Sequence, residues 1–99
     1  MKVLANDGLA KSGITALKLN SFEVDLTTVP QNKLINYINE NEIDVLLVRS
    51  ATKVRKDIID SCPTLKIIGR GGVGMDNIDV EYAREKGLHV INTPEASSH

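Results

Sequence analysis

The chain alternates between short apolar runs of strand type and amphipathic segments of helix type along its length. Five runs have the length and composition of strands: Lys2–Ala5, Phe22–Leu26, Asp44–Val48, Leu65–Ile68 and Leu88–Ile91. The third and fourth runs are dominated by apolar residues, which is typical of strands buried on both faces. This alternation restricts the possible folds strongly, because parallel neighbours in a sheet need a crossover segment between them.

Helical signals fill the intervals between these runs, as apolar residues spaced to share one helix face. They are Leu9, Gly13 and Leu17; Leu34, Ile35 and Ile38 after Pro30; Val54, Ile58 and Ile59 before Pro63; and Val80, Tyr82 and Ala83 before Gly87. Asp79 is placed to cap the last helix and Gly87 to end it in a left-handed conformation. Because β-α-β crossovers are right-handed, we predict an α/β, flavodoxin-like fold: a parallel five-stranded sheet of order 2-1-3-4-5 with helices on both faces.

The composition describes one domain spanning residues 1–99, with 41% hydrophobic residues and a formal net charge of -1. Scattered cations and three aromatic residues do not predict nucleic-acid binding. No apolar stretch approaches the ~20 residues that span a bilayer, and no secretory signal is visible, so we expect no membrane partner. The single Cys62 fits a reducing, cytoplasmic setting, and its apolar neighbours predict a buried filler at a helix end.

Polar and glycine-rich loops follow the predicted strands and should meet at one edge of the sheet, where ligands of open α/β folds bind. They are Asn6–Gly8, Arg49–Lys53, the loop from Gly69 to Asn77, and Asn92–Pro94. Strands three and four are neighbours in the predicted order, so Arg49 and Arg70 should emerge side by side. With the hydroxyls of Ser50 and Thr52 and the backbone amides of the glycine loop, they predict a site for a carboxylate or phosphate.

The glycine loop also matches a dinucleotide fingerprint, with Gly69, Gly71 and Gly74 in the G-x-G-x-x-G spacing. We reject a cofactor site here, because the third glycine of the true motif lies in the helix that faces the pyrophosphate. In this chain four residues intervene before the helix, and Asp76 brings a carboxylate to the place of the phosphates.

Three ordered motifs carry a family resemblance that covers essentially the whole chain. They are Arg49-Ser50-Ala51-Thr52-Lys53-Val54, the run from Ile68 to Asp79, and Val90-Ile91-Asn92-Thr93-Pro94. Together they resemble the amino-terminal part of a D-isomer-specific 2-hydroxyacid dehydrogenase. The resemblance implies a substrate-binding lobe, with a separate Rossmann lobe that carries NAD and is absent from this chain.

The resemblance also implies roles for individual residues. The backbone amides of Gly72, Val73 and Gly74 would hold the substrate carboxylate, while Arg49, Ser50 and Thr52 would receive a phosphate, with Arg70 as an addition. Asn77 and Asp79 would brace the loop and cap the helix. The implied substrate is a small phosphorylated 2-hydroxy or 2-keto acid, namely 3-phosphoglycerate, which is oxidised to 3-phosphohydroxypyruvate in serine synthesis. The parent enzyme would be a homo-oligomer.

No catalytic residue is predicted within the chain. In the family the arginine, histidine and glutamate of hydride transfer lie in the cofactor lobe. His89 falls in a strand pattern and His99 is the terminal residue, so neither receives a catalytic role. The chain ends without a closing structural element, and we therefore expect a fragment that is inactive alone.

Three other interpretations stay open, one within the enzyme class and two from other classes of protein. The substrate is alternatively another D-2-hydroxy acid, as in glyoxylate or hydroxypyruvate reductases, because only the Arg49 region indicates phosphate. A stand-alone anion-sensing module would need no catalytic groups. A phospho-acceptor receiver domain has the same strand order but requires an aspartate where Arg49 stands.

Overall fold

The structure is a computed structural model that describes residues 1–6, 11–49, 52–71 and 78–93. Within these ranges strands and helices alternate as predicted: β1 (Lys2–Ala5), α1 (Lys11–Leu19), β2 (Glu23–Asp25), α2 (Leu34–Glu40), β3 (Val45–Val48), α3 (Lys56–Ser61), β4 (Ile67–Gly71), α4 (Val80–Glu85) and β5 (His89–Thr93). A 3₁₀ turn, Gln31–Lys33, leads into α2.

The strands form a parallel sheet in the order β2-β1-β3-β4-β5. The predicted order 2-1-3-4-5 and the α/β class are therefore confirmed. The central strand β3 pairs with β1 on one side and with β4 on the other, and its four residues are all buried. Its apolar sequence reflects this position, because no face of a central strand contacts water when helices cover the sheet.

Helices lie on both faces of the sheet, as predicted. Strand alternation assigns each residue to one face, and one face packs against α2, α3 and α4 through a core that includes Leu4, Leu46, Ile68, Leu34, Ile38, Ile58 and Ala83. The other face carries a smaller cluster of Val3, Ala5, Val45 and Leu47, against which Leu17 of α1 and Phe22 pack. Each fully buried Leu or Ile contributes roughly 1.5–3 kcal/mol, so the first face supplies most of the apolar stabilisation.

The edge strand β2 is shorter than predicted, since Phe22 and Leu26 both lie outside it. It pairs only with β1, over three residues, and Leu26 beyond this pairing is exposed. The Tyr37 hydroxyl of α2 donates to the Asp25 carboxylate and holds the pKa of that carboxyl below its usual value. This bond ties the edge of the sheet to the helix layer.

The helix ends explain two residues that stood out in the sequence. Cys62 follows α3 and is 1% exposed, and burial raises the pKa of its thiol to about 11, which confirms a packed and unreactive cysteine. Gly87 has φ of 89° beyond α4, the left-handed conformation predicted for it. No helix in the described ranges is long and apolar enough to span a bilayer.

Further differences from the sequence-based expectation lie after β3 and at the end of β4. Val54 does not belong to α3, which begins at Lys56; instead it forms an isolated parallel bridge with Ile78. Its apolar side chain is buried in the core that packs against α2, α3 and α4, and the sequence alone does not distinguish this burial from that of a helix residue. Strand β4 extends beyond Ile68 to Gly71, because Gly69, Arg70 and Gly71 still pair with β5.

Gly69 is a packing residue in the middle of β4. It lies in register between Leu47 of β3 and Ile91 of β5, on the face of the smaller cluster. A Cβ atom at this position would come within 2.6 Å of Leu47 Cδ2 and 3.4 Å of Ile91 Cγ1. The leucine side chain therefore occupies the space that a side chain on β4 would need.

We expect Gly69→Ala to lower the free energy of unfolding by about 1 kcal/mol, because the added methyl group overpacks against Leu47. In a Leu47→Val background, which shortens that side chain, the same substitution should cost measurably less. Urea unfolding of the four chains of this double-mutant cycle checks the coupling. An equal cost of Gly69→Ala in both backgrounds would contradict the assigned contact.

Candidate functional site

The carboxyl ends of β3 and β4 bring the two predicted cationic residues to one region. Val48, the last residue of β3, pairs with Arg70 of β4, and Arg49 follows Val48 directly. Both arginines are partly exposed. The backbone therefore confirms that Arg49 and Arg70 emerge from neighbouring strands at the same edge.

Arg70 lies within β4 and not in the loop after it, where the sequence had placed it. It pairs with Val48 on one side and Asn92 on the other, so the sheet continues through this residue. Paired residues of parallel strands share a face, which directs Arg70 towards the side of α2, α3 and α4. Arg49 stands one residue beyond the last pair, where strand alternation no longer determines its direction. Convergence of the two guanidinium groups on one ligand stays a prediction.

A second junction joins the segments that leave β3 and β4. Val54 forms a parallel bridge with Ile78, and the Asp79 amide donates to the Val54 carbonyl at 2.9 Å. The segment that follows β3 and the segment that follows β4 are therefore paired with each other at both ends. Val48 pairs with Arg70 where they begin, at one rim of the sheet, and Val54 pairs with Ile78 where they finish. Ser50, Gly72, Val73 and Gly74 lie outside the described residues, and their predicted roles are untested.

Asp79 does not cap its own helix, in contrast to the prediction. It occupies the position before α4, but its side chain makes no capping hydrogen bond there. Instead the carboxylate accepts from the Lys56 amide at 3.1 Å and from the Arg55 guanidinium at 3.2 Å. It thus satisfies a first-turn amide of α3, the same need that a local cap would meet. The bridge between Val54 and Ile78 brings Asp79 within reach of α3, which its carboxylate braces. The predicted cap of α4 is therefore wrong, and the predicted bracing of the glycine loop stays a prediction.

Thr52 is hydrogen-bonded to a buried side chain, that of Asn6. It is 4% exposed, and its hydroxyl accepts a hydrogen bond from Asn6 Nδ2 at 2.9 Å. Asn6 directly follows β1 and is 2% exposed, and its carboxamide also bonds both backbone groups of Val29. An unsatisfied buried amide costs roughly 1–3 kcal/mol, so these bonds are what permits a carboxamide at this depth. Sequence reasoning placed Asn6 in a loop and missed this role; a polar residue directly after an apolar strand was the available signal.

Lys53 is exposed and is anchored through its backbone. Gln31 Nε2 donates to the Lys53 carbonyl at 2.8 Å, and the Lys53 amide donates to Gln31 Oε1 at 2.9 Å. The side-chain carboxamide thereby substitutes for a neighbouring strand at the point where β3 has already ended.

The described residues do not fit a dinucleotide. Gly69 and Gly71 lie inside β4, paired with β5, whereas the fingerprint requires its glycines in the turn between strand and helix. Nor do the described parts of the chain contain a group of three or more His, Cys, Asp or Glu side chains able to hold a metal ion.

His89 lies at the amino-terminal end of its strand, away from the carboxyl ends that carry the two arginines. It is the first residue of β5, three positions before Asn92, which pairs with Arg70. At about 3.3 Å per residue this is roughly 10 Å from the rim. His89 instead lines a groove of about 690 Å³ with Cys62, Leu65 and Lys66. Its strand position, predicted from the sequence, is confirmed.

Comparison with known proteins places this geometry in context. The sequence profile described as "D-isomer specific 2-hydroxyacid dehydrogenase, catalytic domain" matches residues 3–99. Hydroxypyruvate reductase of Thermotoga maritima is 48% identical over 98% of this chain and 31% of its own length. D-3-phosphoglycerate dehydrogenase of Methanocaldococcus jannaschii is 46% identical over 99% of this chain and 18% of its own length.

A solved structure gives the same picture. NAD+-bound 3-phosphoglycerate dehydrogenase of Entamoeba histolytica superimposes with a TM-score of 0.73 at 29% identity. The superposition covers 95% of this chain and 33% of that one. The chain thus spans a third or less of the length of each of these proteins.

We expect Asp79→Ala to lower the free energy of unfolding by about 1 kcal/mol, as loss of a helix cap does, because the Lys56 amide loses its acceptor. Arg55→Ala removes only the exposed ion pair and should cost no more than a few tenths of a kcal/mol. Urea denaturation of both variants checks the difference. Equal losses would show that the ion pair and not the amide bond braces α3.

Proposed function

The chain belongs to the D-isomer specific 2-hydroxyacid dehydrogenase family, and on this premise we propose that residues 1–99 form the substrate-binding domain of such an enzyme. The family consists of oxidoreductases that act on small hydroxy acids. The observation that carries the proposal is the double pairing of the two loops, Val48 with Arg70 and Val54 with Ile78. These pairs place the residues that flank the cationic segment and the glycine-rich segment next to one another at the carboxyl ends of the strands, which is where open α/β sheets bind ligands.

We assign the two ends of an acidic substrate to the two loops. The backbone amides of Gly72, Val73 and Gly74 would hold its carboxylate, because successive N–H groups in a glycine-rich turn form an anion-binding concavity. Arg49 and Ser50 would receive the distal phosphate, since guanidinium groups bind phosphate oxygens in a bidentate manner. Thr52 belongs to the same loop, and Arg70 adds a second positive charge beside it.

The substrate that we propose is 3-phosphoglycerate, which the enzyme would oxidise to 3-phosphohydroxypyruvate in serine biosynthesis. Two arginines at adjacent strand ends support a substrate with a second anionic group. Relatives named D-3-phosphoglycerate dehydrogenase, 39–46% identical, support it also. The alternative is hydroxypyruvate or a similar unphosphorylated acid, which the 48% identity to a hydroxypyruvate reductase favours. The phosphate is the chemical difference between these two substrates.

The remaining parts of the enzyme are assigned to another lobe. We propose that a Rossmann domain outside this chain binds NAD and supplies the arginine, histidine and glutamate of catalysis. The chain alone would then bind substrate without turnover. The parent enzyme would be a cytoplasmic homo-oligomer.

We expect the 99-residue chain to bind 3-phosphoglycerate with a millimolar dissociation constant, about -4 kcal/mol, because only part of the cleft is present. Arg49→Ala should weaken this binding at least fivefold and leave D-glycerate, which lacks the phosphate, unchanged. Titrations followed by NMR chemical shifts measure both. Arg84→Ala, on the exposed side of α4, is the matched control for the loss of one positive charge. Equal weakening by both variants would remove Arg49 from the site.

Substrate choice can be tested in a complete enzyme. We expect a chimera in which this chain replaces the matching segment of Thermotoga maritima hydroxypyruvate reductase to favour 3-phosphohydroxypyruvate over hydroxypyruvate, measured by kcat/KM with NADH. Arg49→Ala in the chimera should reverse the preference by raising KM for the phosphorylated substrate. A chimera that favours hydroxypyruvate would support the alternative substrate.

A further inference from the structure

Asn6 closes a ring of hydrogen bonds that includes Thr52 and Lys53, two described residues that follow Arg49 on the chain. From this geometry we infer that Asn6 is a positioning residue of the anion site: through Thr52 and Val29 it holds the Thr52–Lys53 end of the segment that carries Arg49. The inference rests on the proposed function, because it assigns Asn6 to the site that was proposed there.

The Asn6 carboxamide uses three of its four hydrogen-bonding positions. Oδ1 accepts from the Val29 amide at 2.6 Å, while Nδ2 donates to the Val29 carbonyl at 3.1 Å and to Thr52 Oγ1 at 2.9 Å. This pattern determines the orientation of the amide group, since a flipped carboxamide would face the Val29 amide with a donor and the Val29 carbonyl with an acceptor. Asn6 is itself anchored, because its backbone amide donates to the Leu47 carbonyl at 3.1 Å.

Val29 connects this contact to a second one. It is buried outside any strand, so its backbone groups need partners other than a sheet neighbour. Two residues later, Gln31 binds both backbone groups of Lys53. The contacts therefore form a closed ring. Asn6 binds Val29, Gln31 two residues later binds Lys53, and Asn6 also binds Thr52, which precedes Lys53 in the chain.

This ring has a consequence for the anion site. The loop after β3 leaves the sheet at Val48 and returns to paired structure at Val54. Between these points the described contacts that fix its end are those of Thr52 with Asn6 and of Lys53 with Gln31. A Thr52–Lys53 end that is held before the ligand arrives does not lose that conformational freedom on binding, so we expect affinity for a phosphate to rise.

The position of the loop can be measured without any ligand, by NMR hydrogen exchange of the Lys53 amide in the 99-residue chain. We expect Thr52→Val, which keeps the side-chain shape and removes the acceptor, to raise this rate at least tenfold relative to an amide in the middle of β3. Thr52→Ser, which keeps the hydroxyl, should rescue the wild-type rate within threefold. Asn6→Ala should act like Thr52→Val. If it fails to fold, the threonine pair decides the question.

A matched control distinguishes the effect of this hydrogen-bond ring from a general loss of stability. Asn39→Ala removes a carboxamide bond of the same kind, from Asn39 Nδ2 to the Ser61 carbonyl at 2.8 Å, at the opposite end of α2 and α3. It should leave the relative exchange rate of Lys53 unchanged. An unchanged rate in Thr52→Val, or an equal rise in Asn39→Ala, would overturn the inference.

A ligand titration then tests the link to the site. In Thr52→Val the dissociation constant for 3-phosphoglycerate should rise at least fivefold, and that for D-glycerate should stay the same. A faster Lys53 exchange with unchanged 3-phosphoglycerate binding would overturn the positioning role. If the wild-type chain binds neither acid, that result counts against the proposed function. A raised Lys53 exchange rate in the variants would then show that Asn6 stabilises the fold only, and its assignment to the site would be overturned.

Discussion

The register between β3 and β4 is the constraint on which the rest of this molecule depends. It pairs Val48 with Arg70, and the chain repeats the pairing with Val54 and Ile78 after both strands have ended. A shift of one residue in this register would turn Arg70 and Ile68 to the opposite face of the sheet. The close fit of Gly69 against Leu47 is consistent with the observed register, because a Cβ atom at position 69 would come within 2.6 Å of Leu47 Cδ2. Packing on one face therefore determines where the cationic loop and the glycine-rich loop begin.

Beyond the strand ends, side-chain groups provide the hydrogen bonds that backbone groups receive from neighbouring strands inside the sheet. The carboxamides of Asn6 and Gln31 each bind both backbone groups of another residue, as a neighbouring strand would. The Asp79 carboxylate likewise supplies an acceptor to the first turn of α3. Loops can satisfy buried or helix-terminal backbone groups in this way without extending a strand. The described residues that follow these strands are thus held by side-chain hydrogen bonds.

The two edges of the sheet have different chemistry. The carboxyl ends of the strands carry Arg49 and Arg70. The amino edge carries the groove lined by Cys62 and His89, in which Lys66 lies 3.7 Å from the Asp44 carboxylate. The thiol pKa is raised by burial, so Cys62 offers little thiolate for chemistry. Among the residues that the structure describes, Cys62 and His89 therefore lie at the end of the sheet away from Arg49 and Arg70.

The sequence by itself determined the strand order, the helices on both faces and the neighbouring exits of Arg49 and Arg70. The reason is that apolar periodicity and right-handed crossovers leave few arrangements for five alternating units. Tertiary structure alone decided that Val54 pairs with Ile78, that Arg70 and Gly69 belong to a strand, and that Asp79 serves a different helix from its own. It also decided that Asn6 supports Thr52, 46 positions away. Each of these depends on contacts between distant segments, and local patterns contain no information on which partner will satisfy a buried polar group or fill the space above a glycine.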